Sequence, residues 1–502
     1  MGRIKRPLRK KKYMAKIIGL TETERNFFSI VHQAVLANPF SDERADADLK
    51  IAGLFPDVSR DKIILKAMAE VRKKIRVLEQ KGRADLNQYA GNDRQLMLAA
   101  FLFDIFHSFL DRFDQLILDQ IKSPDTPVKV LFADDALALF HKRGFDFSAC
   151  NHFFSLCFQL RRAYYFIDRG LVGRSSCMKK MREDLWNNVF TCDLDLYNQY
   201  LWNRMEDFST LILGETGTGK GAAAMAIGRS GYIPFDKKTR CFAESFTQTC
   251  VALNLSQFSE NLIESELFGH KKGAFTGAVD DHKGIFNRCS RYGSIFLDEI
   301  GEVSVPVQIK LLKVLEERLF CPVGSHKASR FEGRIIAATN RSVETIGHNT
   351  LLRDDFFYRL CSDIIVIPPL RQRIREDAGE LEDLLGFTIE RITGRPPSAL
   401  LAMTQKNISE QLGENYAWPG NVRELGQCVR RILLKRRYHS IFNKKTDSTA
   451  SGLAKEMENG EIDVKNLVKT YCRLLYDKFG TYGEVARRTG LDRRTVKKHI
   501  EI

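Results

Sequence analysis

A lysine closing a glycine-rich loop and two acids closing an apolar strand are the residues of this chain best suited to chemistry. The loop is GETGTGK, Gly214 to Lys220, and it follows the apolar run TLIL. Its glycines, Gly214, Gly217 and Gly219, let the backbone wrap so that N–H groups face phosphate oxygens. Glu215, Thr216 and Thr218 complete the cradle. A helix starting there adds its positive end, and Lys220 offers a point charge to β- and γ-phosphates. The acids are Asp298 and Glu299 in SIFLDEI. Acids at the carboxyl end of a strand lie where ligands bind in open α/β sheets. Asp298 suits Mg2+, and Glu299 suits the base that orients and polarises an attacking water. Gly221 follows the lysine where a Ser or Thr hydroxyl usually helps hold the metal. Magnesium then depends more on Asp298, on water and on the phosphates.

Further polar residues end neighbouring segments. RIIAATNR places Asn340 after a strand, where its amide can reach a γ-phosphate or the water. LLRDDFFYRL carries Arg353 and Arg359, and WPGNVREL carries Arg423 at a helix start. Guanidinium groups can bridge the charge that builds on a transferring phosphoryl group. ESELFGHKKGAFTGA, Glu264 to Ala278, is different in kind. It is too polar for a core strand and too glycine-rich for a stable helix. Its GAFTGA end holds one aromatic ring, Phe275, among small residues.

These residues need elements to hold them. STLILGETG, CVALNLS, GSIFLDEIG, GRIIAATN and IIVIPPL are short apolar runs ending in polar residues, with helical stretches between them. They predict a parallel sheet covered on both faces, an α/β core over residues 171–370. Residues 371–439 read as a helical lid, 440–462 as a polar linker, and 463–502 as a small all-α unit. Residues 21–170 read as mostly helical. IILKAMAEVRKKIRVLEQ and LMLAAFLFDIFHSFLDRFDQLILDQI repeat apolar residues at three- and four-residue spacing. Their Phe and Leu stripes predict core packing.

The 502 residues are 44% apolar and suggest about three domains. The net charge of +15 favours a polyanionic partner, nucleic acid first. Residues 1–20 form a basic arm with eight Lys or Arg and no acid. No apolar run approaches the roughly 20 residues of a membrane span, and Lys16 interrupts the nearest leader-like stretch. Eleven scattered cysteines without a CxxC pair argue against a disulfide framework or zinc site and for a reducing cytoplasm.

YGEVARRTGLDRRTVKKHI, Tyr482 to Ile500, fits a helix-turn-helix. Ala486 is small where the helices cross, Gly490 suits the turn, Asp492 can cap the second helix, and Val496 points inward. Arg493, Arg494, Thr495, Lys497 and Lys498 then face double-stranded DNA.

Taken in order, GETGTGK, ESELFGH, GAFTGA, FLDEIGE, RIIAATNR, PPLRQR and WPGNVREL resemble the AAA+ activators of sigma-54 RNA polymerase, the bacterial enhancer-binding proteins. The resemblance covers residues 171–437 and extends to a Fis-type helix-turn-helix at 463–502. It implies a bacterial, cytoplasmic, ATP- and Mg2+-dependent ATPase that assembles into a ring, usually a hexamer. Such a protein binds upstream DNA and remodels the closed sigma-54 holoenzyme complex to an open one. It implies that Gly273, Ala274, Phe275, Thr276, Gly277 and Ala278 form the sigma-54 contact, with Phe275 as the touching ring and Thr276 setting the loop.

By the same resemblance, Asn254 pairs with Glu299 and withholds it from water. Asn340 is the first sensor and Arg423 the second, and Arg353 and Arg359 reach a neighbour's nucleotide. The nucleotide set is Gly214 to Gly221, Asp298, Asn340 and Arg423; the catalytic set is Glu299, Asn254, Arg353 and Arg359. Residues 21–170 become the control element. Three departures stand out: Gly221 where glutamate is usual, Leu352 where phenylalanine is usual, and two long segments, TCDLDLYNQYLWNRMED and GYIPFDKKTRCFAESFTQTC, positioned to add contacts around a ring. Two other readings remain: a DNA-binding regulator with an impaired ATPase, and an AAA+ remodeller of another protein.

Overall fold

A computed structural model of the chain describes residues 17–341, 352–396, 398–413, 416–438 and 462–501, with single positions at Leu453, Met457 and Gly460. Residues 1–16 of the basic arm and most of the 440–462 linker lie outside the described residues. The chain divides into two compact units. One is Met1–Leu401 with Gly420–Gly426, and the other is Ala402–Pro419 with Gln427–Ile502.

The first unit begins with helices α1 (Glu22–Leu36), α2 (Asp42–Ala52), α3 (Arg60–Gln80), α4 (Gly91–Ser108), α5 (Leu110–Lys122), α6 (Ala133–Lys142), α7 (Phe147–Gly170) and α8 (Ser176–Phe190). Thr21 caps α1 in a full capping box with Glu24, which satisfies N–H groups the helix start leaves unpaired. The long apolar run predicted as helical from Leu96 is two helices that part at Phe109, whose backbone is not helical.

The five apolar runs are five parallel strands: β1 (Thr210–Leu213), β2 (Cys250–Asn254), β3 (Ser294–Asp298), β4 (Arg334–Thr339) and β5 (Asp363–Val366), ordered β2-β3-β4-β1-β5. Alternation along each strand divides the core. Leu211, Ile295, Leu297, Ile335 and Ala337 face one apolar cluster; Ile212, Phe296, Ile336 and Ala338 face another. The first cluster is closed by α10 (Glu260–Phe268), α11 (Val305–Glu317) and α12 (Asp354–Leu360), the second by α7, α8 and α9 (Lys220–Gly228). The inner strands β3, β4 and β1 are buried on both faces, as parallel sheets require, while edge strand β5 leaves Ile364 and Val366 exposed. Helices α13 (Leu370–Glu376) and α14 (Gly379–Thr393) follow in the same unit; α15 (Ser398–Leu412) and α16 (Asn421–Lys435) each begin in it and end in the second.

Besides the packing of α7 and α8 on the sheet, the long segment after α9 links the N-terminal helices to it. Residues Phe235–Asp236 and Cys241–Phe242 form a small antiparallel hairpin. Phe235, Phe242 and Phe246 lie in the N-terminal core; Phe242 stacks on Phe158 at 4.3 Å, and Phe235 meets Phe154 edge-on at 4.9 Å. Three aromatic residues of GYIPFDKKTRCFAESFTQTC are therefore packed on the N-terminal helices, while Asp236 to Arg240 at its hairpin turn are exposed. The other long segment turns inward as well: Tyr197 is fully buried, and its hydroxyl exchanges hydrogen bonds with Gln159 of α7.

In the second unit, α17 (Val464–Phe479), α18 (Tyr482–Thr489) and α19 (Arg493–Glu501) close around Cys472, Leu475, Val485 and Val496. Gly490 holds the turn at φ 71°, a left-handed value that favours glycine.

Candidate nucleotide cleft, exposed loop and helix-turn-helix

The loop Gly214 to Lys220 joins β1 to α9, and Gly214, Gly217 and Gly219 all take positive φ. Gly217 has a second constraint: a Cβ there would lie 2.3 Å from the Gly420 carbonyl oxygen. The Lys220 ammonium folds back to donate to the carbonyl of Gly214 at 2.8 Å. Burial pulls its pKa below the ordinary value, against the opposing charges of Glu299 and Asp298.

A cavity of about 310 Å³ gathers Lys220, Asp298, Glu299 and Arg423. Its polar end is the loop and the acid pair. Its other walls include Leu171, Met178, Met181, Leu384 and Phe387, a slot able to hold a flat ring. Arg391 also lines the cavity, and reading the sequence missed it. It lies in the last turn of α14, where a basic residue is common and nothing local distinguishes it from a surface cation.

The acids are positioned by strand register. Asn254 at the end of β2 is level with Asp298 at the end of β3. Its amide nitrogen donates to the Asp298 carboxylate at 3.2 Å, so the expected pairing with Glu299 is not formed. The reason is directional. Asp298 is the last residue of the strand and stays level with Asn254, whereas Glu299 turns away with φ 56° and ψ 48°. A left-handed non-glycine residue at a site edge is strained and marks a functional position. The Asn254 side-chain oxygen Oδ1 accepts in turn from Ser256, from its N–H at 3.0 Å and its hydroxyl at 2.7 Å.

Asn340 is exposed just past β4, on the same edge as the acids. Arg353 and Arg359 are exposed and do not line the cavity. Arg353 pairs with Asp355 at 2.7 Å, and Arg359 donates to the Leu315 carbonyl at 3.2 Å. Asn421 was also missed. It donates to Glu215 at 3.2 Å and to the Thr216 carbonyl at 3.1 Å, and accepts from Leu370 N–H at 2.8 Å, tying the phosphate loop to the start of α13. Gly221 faces open space; a Cβ there would touch only the Phe296 ring, at 3.9 Å.

The segment Gly273 to Ala278 is a compact, self-bonded loop. Gly273 N–H donates to the Ala278 carbonyl at 2.8 Å, and Ala278 N–H to the Phe275 carbonyl at 3.0 Å. Gly273 and Gly277 have φ of 79° and 101°. Phe275 is 38% exposed and leans edge-on against His270 at 4.9 Å. The ring is thus parked against its own base.

In the second unit, Arg493, Arg494, Lys497 and Lys498 are exposed along α19, and Val496 is fully buried. Asp492 accepts from the N–H groups of Arg494 and Thr495 at 2.8 and 3.0 Å. The Thr495 hydroxyl also donates to Asp492, so that side chain serves the cap as well as lying on the basic helix.

A parallel sheet in this order, with a phosphate loop after one strand and an acid pair after another, has the architecture of an AAA+ domain. Residues 195–365 match the model of the sigma-54 interaction domain. The chain is 44% identical over 230 residues to a Nif-specific regulatory protein of Azotobacter vinelandii, covering 46% of this chain and 40% of that protein. It is 35% identical over 302 residues to the nitrogen fixation protein AnfA of the same organism, covering 58% of this chain and 52% of that protein. It is 32% identical over 338 residues to the regulatory protein AtoC of Escherichia coli, covering 63% of this chain and 68% of that protein. The chain belongs to the sigma-54-dependent transcriptional regulators. It spans about half the length of the Nif-specific protein and AnfA.

Proposed function

We propose that the chain hydrolyses ATP in a ring of identical subunits and uses that energy to convert a closed sigma-54 polymerase complex to an open one. The observation that carries this reading is the convergence of Lys220, Asp298, Glu299 and Arg423 on one cleft, in the same unit as the GAFTGA loop. In this reading the loop N–H groups and Lys220 take the phosphates, and the apolar slot between α8 and α14 takes the base. Asp298 would hold a magnesium ion, which when bound neutralises charge on the phosphates.

Glu299 orients the attacking water and accepts its proton. Asn254 restrains the acid pair through Asp298, and its other contact, Ser256, leads along the chain into α10 and the loop. This continuous path supports a loop whose pose follows the nucleotide. Arg353 and Arg359 face outward and are available to the nucleotide of an adjoining subunit. The exposed cations of α19 are suited to phosphates and guanine edges of an upstream DNA site.

The test is Glu299→Gln. It retains binding of a fluorescent ATP analogue within about twofold, while steady-state hydrolysis falls at least about 100-fold, the usual contribution of a general base. Loss of binding together with turnover would assign Glu299 to the phosphate cradle instead.

A further inference from the structure

A second cavity of about 320 Å³ lies among the N-terminal helices and shares no lining residue with the nucleotide cleft. Its size falls at the small end of ligand pockets, about 300–1,000 Å³. Most of its wall is apolar, from Leu102, Phe106, Leu156, Leu160 and Trp186. Three guanidinium groups, of Arg44, Arg60 and Arg161, line it against one carboxylate, Asp48. Arg44 is engaged by Asp48 at 2.9 Å, and Arg161 by Asp114 at 2.6 Å. Arg60 stands exposed at the rim and donates to the main-chain carbonyl of Pro39 at 2.6 Å; among the described residues no carboxylate forms an ion pair with it. His107 in the wall reports the same positive field. Burial, then Arg44, Arg161 and Arg72, lower its pKa to about 3 despite an opposing bond to the Phe103 carbonyl, so the ring is neutral.

We propose that this cavity binds a small amphipathic carboxylate, its apolar body against the α4, α7 and α8 walls and its charged group at Arg60. An apolar chamber with a few cations in its wall favours a ligand of that polarity over a neutral oil or a sugar. The site is joined physically to the nucleotide cleft. Helix α7 lines this cavity from Phe153 to Tyr164 and the nucleotide cleft at Gly170; α8 lines this cavity at Trp186 and the nucleotide cleft at Met178 and Met181. A ligand that shifts either helix therefore acts on the base slot. That regulatory consequence rests on the ATPase reading; the binding itself does not.

The experiment is calorimetry on the full chain without nucleotide, using octanoate and 3-phenylpropanoate as probes and the alcohols of the same skeletons as neutral counterparts. At least one acid binds at one per chain with Kd below about 1 mM, and about tenfold tighter than its alcohol. Arg60→Gln removes most of that preference and leaves alcohol binding unchanged. Leu160→Trp, which fills the chamber, abolishes binding of both while circular dichroism stays that of the wild type. The proposal is overturned if neither acid binds, if the alcohol binds as tightly as the acid, or if Leu160→Trp binds like the parent chain. Because no nucleotide is present, a failed ATPase reading would leave these results standing.

Discussion

Gly221 is where the reacting site departs most from the expected pattern, and its surroundings say what the departure costs. The position opens α9 and nothing crowds it. A side chain is therefore absent without a steric reason. Glycine loses more backbone freedom on entering a helix than a residue with a side chain, and the missing hydroxyl removes one route to the metal. Gly221→Ser should raise the melting temperature and lower the magnesium concentration at half-maximal ATPase activity. An unchanged magnesium dependence would show that Asp298, water and phosphate suffice. Asn254 teaches a related lesson. Its place beside the acids was legible from the sequence, because strand ends align in a parallel sheet. Which acid it meets was not, because that depends on the left-handed turn at Glu299.

At the scale of elements, the five strands were legible because each apolar run is short and ends in polar residues. The packing partners of the long insertions were not. Nothing in the spacing of Phe235, Phe242 and Phe246 says that their rings complete a core built more than seventy residues earlier, around Phe154 and Phe158. Two buried arginines were also hidden in plain amphipathic patterns. Arg162 of α7 is fully buried and donates to the carbonyls of Arg229 and Gly231, at the end of α9. Arg373 of α13 pairs with Glu380 of α14 at 2.6 Å, both buried. Glu380 also accepts from the N–H groups of Arg174 and Ser175, at 2.6 and 3.2 Å, which fixes the segment entering α8 beside the base slot. Glu380→Ala leaves Arg373 buried without its carboxylate, a change that costs about 3–5 kcal/mol. Urea unfolding should show a loss of that size. A loss below about 1 kcal/mol would mean that water reaches Arg373 freely.

For the whole molecule, the arrangement of the arginines sets the expected behaviour. Arg353 and Arg359 lie outside their own cleft, so a catalytic role for them requires a second subunit. Head-to-tail contacts of this kind would close into a ring where the rotation per subunit allows it. ATPase activity per chain should therefore rise with protein concentration and then plateau, while Arg359→Ala stays near zero at all concentrations. Activity per chain that is independent of concentration in dilute solution would place the complete site within one subunit. The helix-turn-helix and the GAFTGA loop were read directly from local motifs, because both depend on short-range spacing. How the N-terminal helices join the ATPase core depends on contacts between distant segments and needed the structure. The most direct test of the account is open-complex formation by purified sigma-54 holoenzyme with ATP and the full chain, beside Thr276→Ala. The account predicts ATP-dependent promoter opening by the parent chain, and for Thr276→Ala no opening despite retained hydrolysis. Normal opening by Thr276→Ala, or hydrolysis by the parent chain with no opening at all, would contradict it.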